Sequence, residues 1–343
     1  MERGAFCDTI EALERAFIRG NESIIIKGGH KMKKYAFGVD IGGTTVKIGF
    51  FEMSGQLLDK WEIKTNTEDK GAHVVDEIAD SIEEALAVKG ISKEEVLGVG
   101  MGVPGPVTKD GIALGSANIG WSNYNIAAHM SERIGLPARA GNDVKTATFG
   151  EMWMGGGKGY SDVFFITLGT GVGAGIIVDG RMMYGYKGAS GEFGHIIVNR
   201  EEKERCGCGR YGCLEQYASA TGLVKLAKKR LAASETDSAL RNLENVTAKD
   251  IFDYAKEGDA LADKVVDEFA KILGRALSDA ACVINPEIIV IGGGVSKAGT
   301  FLLERVHKYF KEDTLFTCTD TKFALAELGN DAGIYGAVRM LLE

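Results

Sequence analysis

Apolar positions in this chain fall into short runs, each closed by glycine. Residues 35–40 (YAFGVD) read as a buried strand, Ile41-Gly42-Gly43-Thr44 as a turn, and 45–51 (TVKIGFF) as a second strand. A third can run from 56 to 65 after Ser54-Gly55, followed by a helical stretch over 71–89. Another strand at 96–103 is broken by Pro104-Gly105-Pro106. The same grammar then returns. Residues 163–168 (VFFITL) form a strand, Gly169-Thr170-Gly171 a turn and 172–178 the next strand, and Asp179-Gly180 is a hairpin signal leading into 181–184. A mainly helical region covers 220–284. After it come a strand at 287–291, Gly292-Gly293-Gly294, a helix at about 298–312 and a last helix at about 332–342.

Two strand–turn–strand units, each followed by helices, predict an α/β protein of two halves with a cleft between them. The boundary falls near 140–160 and is drawn at 143/144, giving an N-terminal domain of 32–143 and a C-terminal domain of 144–343. One continuous doubly wound sheet is the other arrangement the pattern allows. Residues 1–31 precede the first strong β pattern and read as an appendage. Residues 7–19 fit a short amphipathic helix. Lys27-Gly28-Gly29-His30-Lys31 can be encoded as a purine-rich ribosome-binding sequence ahead of Met32, so a natural start at Met32 competes with a docking helix.

Composition narrows the function. The 343 residues are 45% hydrophobic and 26% charged, enough for two domains with cores of their own. A formal net charge of -8 argues against nucleic acid as a partner and against a polyanionic phosphoryl donor. No apolar run spans a bilayer and no secretory signal opens the chain, so a cytoplasmic protein without a membrane partner is expected. Glycine, at 47 residues against four prolines, clusters after the apolar runs, where a missing Cβ permits tight turns and close ligand approach.

Three of those clusters suit a nucleotide. In Asp40-Ile41-Gly42-Gly43-Thr44-Thr45, backbone N–H groups of the turn can face phosphate oxygens, with Thr44, Thr45 and Lys47 as further donors. Asp40 at the strand end can hold Mg²⁺ through water. Gly169-Thr170-Gly171 is the equivalent turn of the second half. Gly292-Gly293-Gly294, between a buried strand and a helix, can take a flat base or ribose. A plain hairpin would explain any one of them, whereas the three in this order are more specific. Neither the P-loop pattern nor a dinucleotide fingerprint opening a helix is present, which argues against a P-loop enzyme and a dehydrogenase.

Cys206, Cys208 and Cys213 follow His195 at ligand spacing and form a Cys₃His set suited to structural Zn²⁺. His195 is the looser member, eleven residues upstream of Cys206. Cys7, Cys282 and Cys318 read as residues without a role. If zinc takes one nitrogen of His195, the other can meet a substrate hydroxyl, and Glu192 and Glu215 beside the ligands can accept from neighbouring hydroxyls. That ring of acceptors suits a polyol. Asp143, in Gly141-Asn142-Asp143, can accept a hydroxyl proton during phosphoryl transfer, although the tripeptide is also an ordinary turn signal.

From about residue 33 onward the chain resembles the ROK family (repressors, open reading frames and sugar kinases), and within it the bacterial glucokinases. The resemblance is carried by DIGGTTVKIGFF at 40–51, GVPGPV at 102–107, NIGW at 118–121, GND at 141–143, LGTGVGAGI at 168–176, GEFGH at 191–195, CGCGRYGCLEQYASATG at 206–222 and IGGGVS at 291–296. It implies the two-domain, actin-like ATPase fold shared with hexokinase and heat-shock-70, each half a mixed sheet with helices. It implies ATP-dependent phosphorylation of glucose to glucose 6-phosphate, the entry to glycolysis, with Asp143 as general base. By the same resemblance Asn142, Glu192, His195 and Glu215 bind the sugar, with Asn118 near Trp121 lining its pocket. His195, Cys206, Cys208 and Cys213 bind zinc, the glycine clusters bind phosphates and adenosine, and the enzyme is a homodimer. The extension 1–31 departs from the kinases of the family.

Three other functions compete. A kinase for mannose, allose, fructose or an N-acetylhexosamine would use the same groups, since sequence does not show which hydroxyl each one meets. A sugar-responsive repressor of the same family needs a helix-turn-helix domain, and 31 residues are too few for a winged one. An actin-like assembly protein shares the fold but has no use for the zinc cluster or the sugar-type acceptors.

Overall fold

A computed structural model describes residues 33–116 and 118–343, and the expected helix at 7–19 and the start at Met32 lie outside them. The described chain forms two compact units. The first holds residues up to Met154 together with Tyr186–Gly188 and Asn330–Glu343. The second holds Gly155–Gly185 and Ala189–Gly329.

The first unit begins with the meander β1 (Tyr35–Ile41), β2 (Thr45–Glu52) and β3 (Leu57–Lys64). Helix α1 (Val74–Lys89) buries Val74, Val75, Ile78, Ala79, Ile82 and Leu86 along one face and stops at left-handed Gly90. Strand β4 (Val96–Val103) is followed by the small ribbon β5 (Ile112–Ala113) and β6 (Tyr124–Asn125), then α2 (Ile126–Ile134), β7 (Ala138–Asn142) and α3 (Asp143–Met154). The sheet order is β3-β2-β1-β4-β7, with β1, β4 and β7 parallel.

Alternation along β1 sends Phe37, Val39 and Ile41 into the core that contains α1, and Ala36 into the core with Trp153, Ile334 and Val338. The second face is covered by the last helix, α9 (Ala332–Met340), numbered here in chain order after the helices of the second unit. It lies close because the sheet presents glycine there. A Cβ at Gly38 would sit 2.0 Å from the Ile334 carbonyl oxygen, and one at Gly100 1.8 Å from that of Ala337.

The second unit repeats the plan. Strands β8 (Val163–Leu168), β9 (Val172–Val178) and β10 (Arg181–Met182) form the antiparallel part. Four helices follow: α4 (Glu215–Ala218), α5 (Ala220–Ala233), α6 (Ala248–Lys256) and α7 (Ala260–Ile284). Strand β11 (Ile288–Gly292), helix α8 (Thr300–Asp313) and strand β12 (Lys322–Leu325) complete it. The sheet order is β10-β9-β8-β11-β12, the same sequence of antiparallel and parallel neighbours as in the first unit. The expected helical region 220–284 is three helices, because residues 234–247 carry a new start at Thr247, whose side chain and Asp250 form a reciprocal capping box. The expected boundary at 143/144 falls at the junction of β7 and α3, and α3 and α9 both belong to the first unit. Among the described residues no helix is long and apolar enough to cross a membrane.

Candidate active site and metal centre

In the first unit the carboxyl ends of the parallel strands are in register: Asp40 pairs with Gly102, Gly102 with Gly141 and Val103 with Asn142. Ligands of open α/β sheets lie beyond such ends. Asn142 is the organising residue. Its Nδ2 donates to the Gly105 carbonyl at 3.0 Å and to Asp143 Oδ1 at 2.7 Å, and its Oδ1 accepts from Lys145 N at 3.2 Å. It therefore ties the Pro104-Gly105-Pro106 turn to the start of α3. Asp143 Oδ1 also accepts from Val144 N at 2.8 Å, so the carboxylate is fixed by two donors.

Asp40 lies deeper. Burial first, then the negative charge of Asp143, pushes its carboxyl from the ordinary 3.8 to about 6 against the pull of Lys47. A buried carboxylate with a second negative charge acting on it is chemistry that fits a hard divalent cation. The Gly42-Gly43-Thr44 turn follows directly, closed by Gly42 N donating to the Thr45 carbonyl at 2.9 Å, with Thr44 and Thr45 exposed. A Cβ at Gly43 would lie 3.2 Å from Asn118 Cβ, so Asn118 meets this turn. Buried Trp121 steadies the 118–121 loop by donating its indole N–H to the Gly71 carbonyl at 3.0 Å. Lys47, expected as a phosphate donor, is committed elsewhere: its Nζ donates to the Asn330 carbonyl at 2.6 Å and to Asp331 Oδ1 at 3.1 Å.

In the second unit two glycine clusters meet at the carboxyl ends of the neighbouring parallel strands β8 and β11. Gly292 pairs with Thr167, and Gly293 is left-handed with φ +83°. A Cβ there would sit 2.6 Å from Leu168 N, just ahead of Gly169. The Gly169-Thr170-Gly171 turn reaches Glu215 as well, since a Cβ at Gly171 would lie 2.7 Å from Glu215 Oε2. The loop carrying Glu192 and His195 is laid on β9, with Gly191 against the Ala174 carbonyl and Gly194 against that of Val172. His195 Nδ1 is 3.5 Å from Glu215 Oε1, and Nε2 is 3.9 Å from Glu192 Oε2.

One ligand atom from each of His195, Cys206, Cys208 and Cys213 lies within 4.8 Å of all the others. Cys208 and Cys213 sulfurs are 3.6 Å apart. Zinc–sulfur bonds of about 2.3 Å place tetrahedral sulfurs about 3.8 Å apart, so the set fits a structural zinc ion. Bridges Ile197–Cys213 and Arg205–Tyr211 and the hydrogen bond from Cys206 N to the Arg210 carbonyl fold the segment into a knuckle. The Cys206 thiol donates to Glu215 Oε1 at 2.8 Å. Burial first, and that bond next, pushes the thiol up to about 12. His195 Nδ1 faces Cys206 at 3.9 Å, so Nε2 is the nitrogen on the Glu192 side.

The predicted residues thus form two groups. Asp40, Gly42, Gly43, Thr44, Thr45, Lys47, Asn118, Asn142 and Asp143 belong to the first unit, and the remainder to the second. Sequence reading missed Asp331 and Lys145. Lys145 is a buried cation in the first turn of α3 that donates to the Gly188 carbonyl at 2.6 Å. A signal for Asp331 existed: Gly-Asn-Asp occurs at 329–331 as well as at 141–143, each time at the head of a helix.

Two sheets of one strand order, each with a glycine turn between its first two strands, define a two-domain, actin-like kinase fold. The chain belongs to the ROK family, whose profile matches residues 36–343. A glucokinase of Halalkalibacterium halodurans is 42% identical over 308 residues, covering 88% of this chain and 93% of that protein. A glucokinase of Thermotoga maritima is 34% identical, covering 89% of this chain and 96% of that one. The solved structure of a ROK family glucokinase from Streptomyces griseus in complex with glucose and AMPPNP is 35% identical with a TM-score of 0.69, covering 89% of this chain and 98% of that one.

Proposed function

We propose that this protein is a cytoplasmic ATP-dependent glucokinase that makes glucose 6-phosphate. The observation that carries the reading is Asp143, a carboxylate fixed at the head of α3 by Asn142 Nδ2 and Val144 N in a chain 42% identical to a glucokinase. Asp143 accepts the proton of the sugar 6-hydroxyl as that oxygen bonds to the γ-phosphorus and the bond to ADP breaks. Asn142, Asn118, Glu192, His195 Nε2 and Glu215 hold the sugar hydroxyls. The turns at Gly42-Gly43-Thr44-Thr45 and Gly169-Thr170-Gly171 hold phosphates, and Gly292-Gly293-Gly294 takes the adenosine. Asp40 would serve Mg²⁺, which when bound would supply charge neutralisation on the phosphates. Zinc held by His195, Cys206, Cys208 and Cys213 is structural and keeps Glu215 and His195 in place. The homodimer implied by the family resemblance belongs to the same reading, and sedimentation equilibrium tests it.

Asp143→Asn is the direct test. Phosphoryl transfer from ATP to glucose should fall by at least about a hundredfold, the scale of a lost general base, while glucose still binds by calorimetry. A variant that keeps wild-type turnover would remove Asp143 from the reaction.

A further inference from the structure

Asp331 stands immediately before α9, where an aspartate ordinarily accepts hydrogen bonds from the helix's own first amides. Its carboxylate makes no such bond. Two ammonium groups hold it instead, Lys47 Nζ at 3.1 Å from Oδ1 and Lys60 Nζ at 2.6 Å from Oδ2. Lys47 also donates to the Asn330 carbonyl at 2.6 Å. The Lys47 side chain is 16% exposed and that of Asp331 26%, so this pair is less screened than an ion pair in open water. The head of α9 is therefore pinned to β2 and β3.

That head bears on the candidate site. A Cβ at Gly333 would lie 2.7 Å from Asp40 Oδ2, so the Asp40 carboxylate rests on the first turn of α9. Asp40 and Lys47 are direct cross-strand partners in β1 and β2. One lysine thus stands between the carboxylate of the site and the aspartate that fixes the helix. We propose that Asp331, gripped by Lys47 and Lys60, is a positioning residue for phosphoryl transfer: it fixes the first turn of α9 against Asp40 and so sets where that carboxylate stands. The proposal rests on the kinase reading, in which Asp40 serves the nucleotide's metal. It also changes the role of Lys47 from phosphate ligand to anchor.

Asp331→Asn and Lys60→Met in the full chain separate the two roles. Amide exchange at residues 332–334, measured without ligands, should quicken by about tenfold or more in Asp331→Asn and in the same direction in Lys60→Met. The KM for MgATP should rise by about fivefold or more in Asp331→Asn, while the KM for glucose stays within about twofold. Were Lys47 a phosphate ligand held in reserve, Asp331→Asn would release it and the KM for MgATP would stay level or fall. That result, or unchanged exchange at 332–334 in both variants, overturns the proposal. A wild-type chain that transfers no phosphoryl group to glucose would overturn the kinase reading instead, and the exchange rates would still decide whether the helix is pinned.

Discussion

Asp40 is held in a surrounding that opposes its own charge. Its raised carboxyl means that the folded state keeps a proton the unfolded chain has lost between pH 3.8 and about 6. The sign follows: in that window stability falls as pH rises, and above about 6 the penalty is complete and constant. A displacement of that size in a buried group corresponds to roughly 3 kcal/mol. Asp40→Asn in metal-free protein should therefore melt several degrees higher than wild type at pH 7.5 and lose that advantage by pH 4. Equal melting temperatures at pH 7.5 would mean that the carboxylate is comfortable where it stands. Turnover should be lost in the same variant, so stability and function are opposed at this position. Asp40 stands out in the sequence by its place at a strand end before Gly42-Gly43. Its coupling to Asp331 does not show there, because Lys47 and Asp331 are 284 residues apart and no local pattern pairs them.

At the level of elements, two features decide most. The first is the crossing of α3 and α9, where both helices present glycine. A Cβ at Gly336 would lie 1.6 Å from the Thr146 carbonyl oxygen. Alanine normally favours a helix over glycine by about 1 kcal/mol. Here overpacking should reverse the sign and Gly336→Ala should destabilise by about 2 kcal/mol or more, read in denaturant melts. A variant as stable as wild type would show that the crossing has slack. The second is the knuckle 195–215. Elemental analysis should find one zinc per chain, and a strong chelator should expose three further thiols to Ellman's reagent and raise the KM for glucose. If Cys206, Cys208 and Cys213 all react in untreated protein, no metal holds them. The knuckle was readable because ligand spacing is a local property. Helix α3 was not, since Lys145, Thr146, Thr148, Phe149, Gly150, Glu151, Met152 and Trp153 are all buried and leave no polar stripe to mark a period. Strand β7 escaped notice for a related reason: ARAGN offers five residues with little apolar alternation.

For the whole molecule, the repeated strand–glycine–strand pattern foretold two α/β halves, the family resemblance a mixed sheet in each, and two sheets with the same order of neighbours bear this out. What the pattern could not convey is membership. A helix at the end of the sequence reads as part of whatever precedes it, yet residues 330–343 pack with the first unit. The glycines that admit it, Gly38 and Gly100, look from sequence like weak points in strands rather than a seat for a helix. This arrangement imposes an order on biosynthesis. Once residue 329 has left the ribosome, the second unit has all its parts, whereas the first, begun about three hundred residues earlier, still lacks Ile334 and Val338 from the cluster that covers Ala36 and Phe51. The half of the protein that is translated first is thus the half that must wait longest to close, with apolar strand surface open to chaperones or to other nascent chains in the meantime.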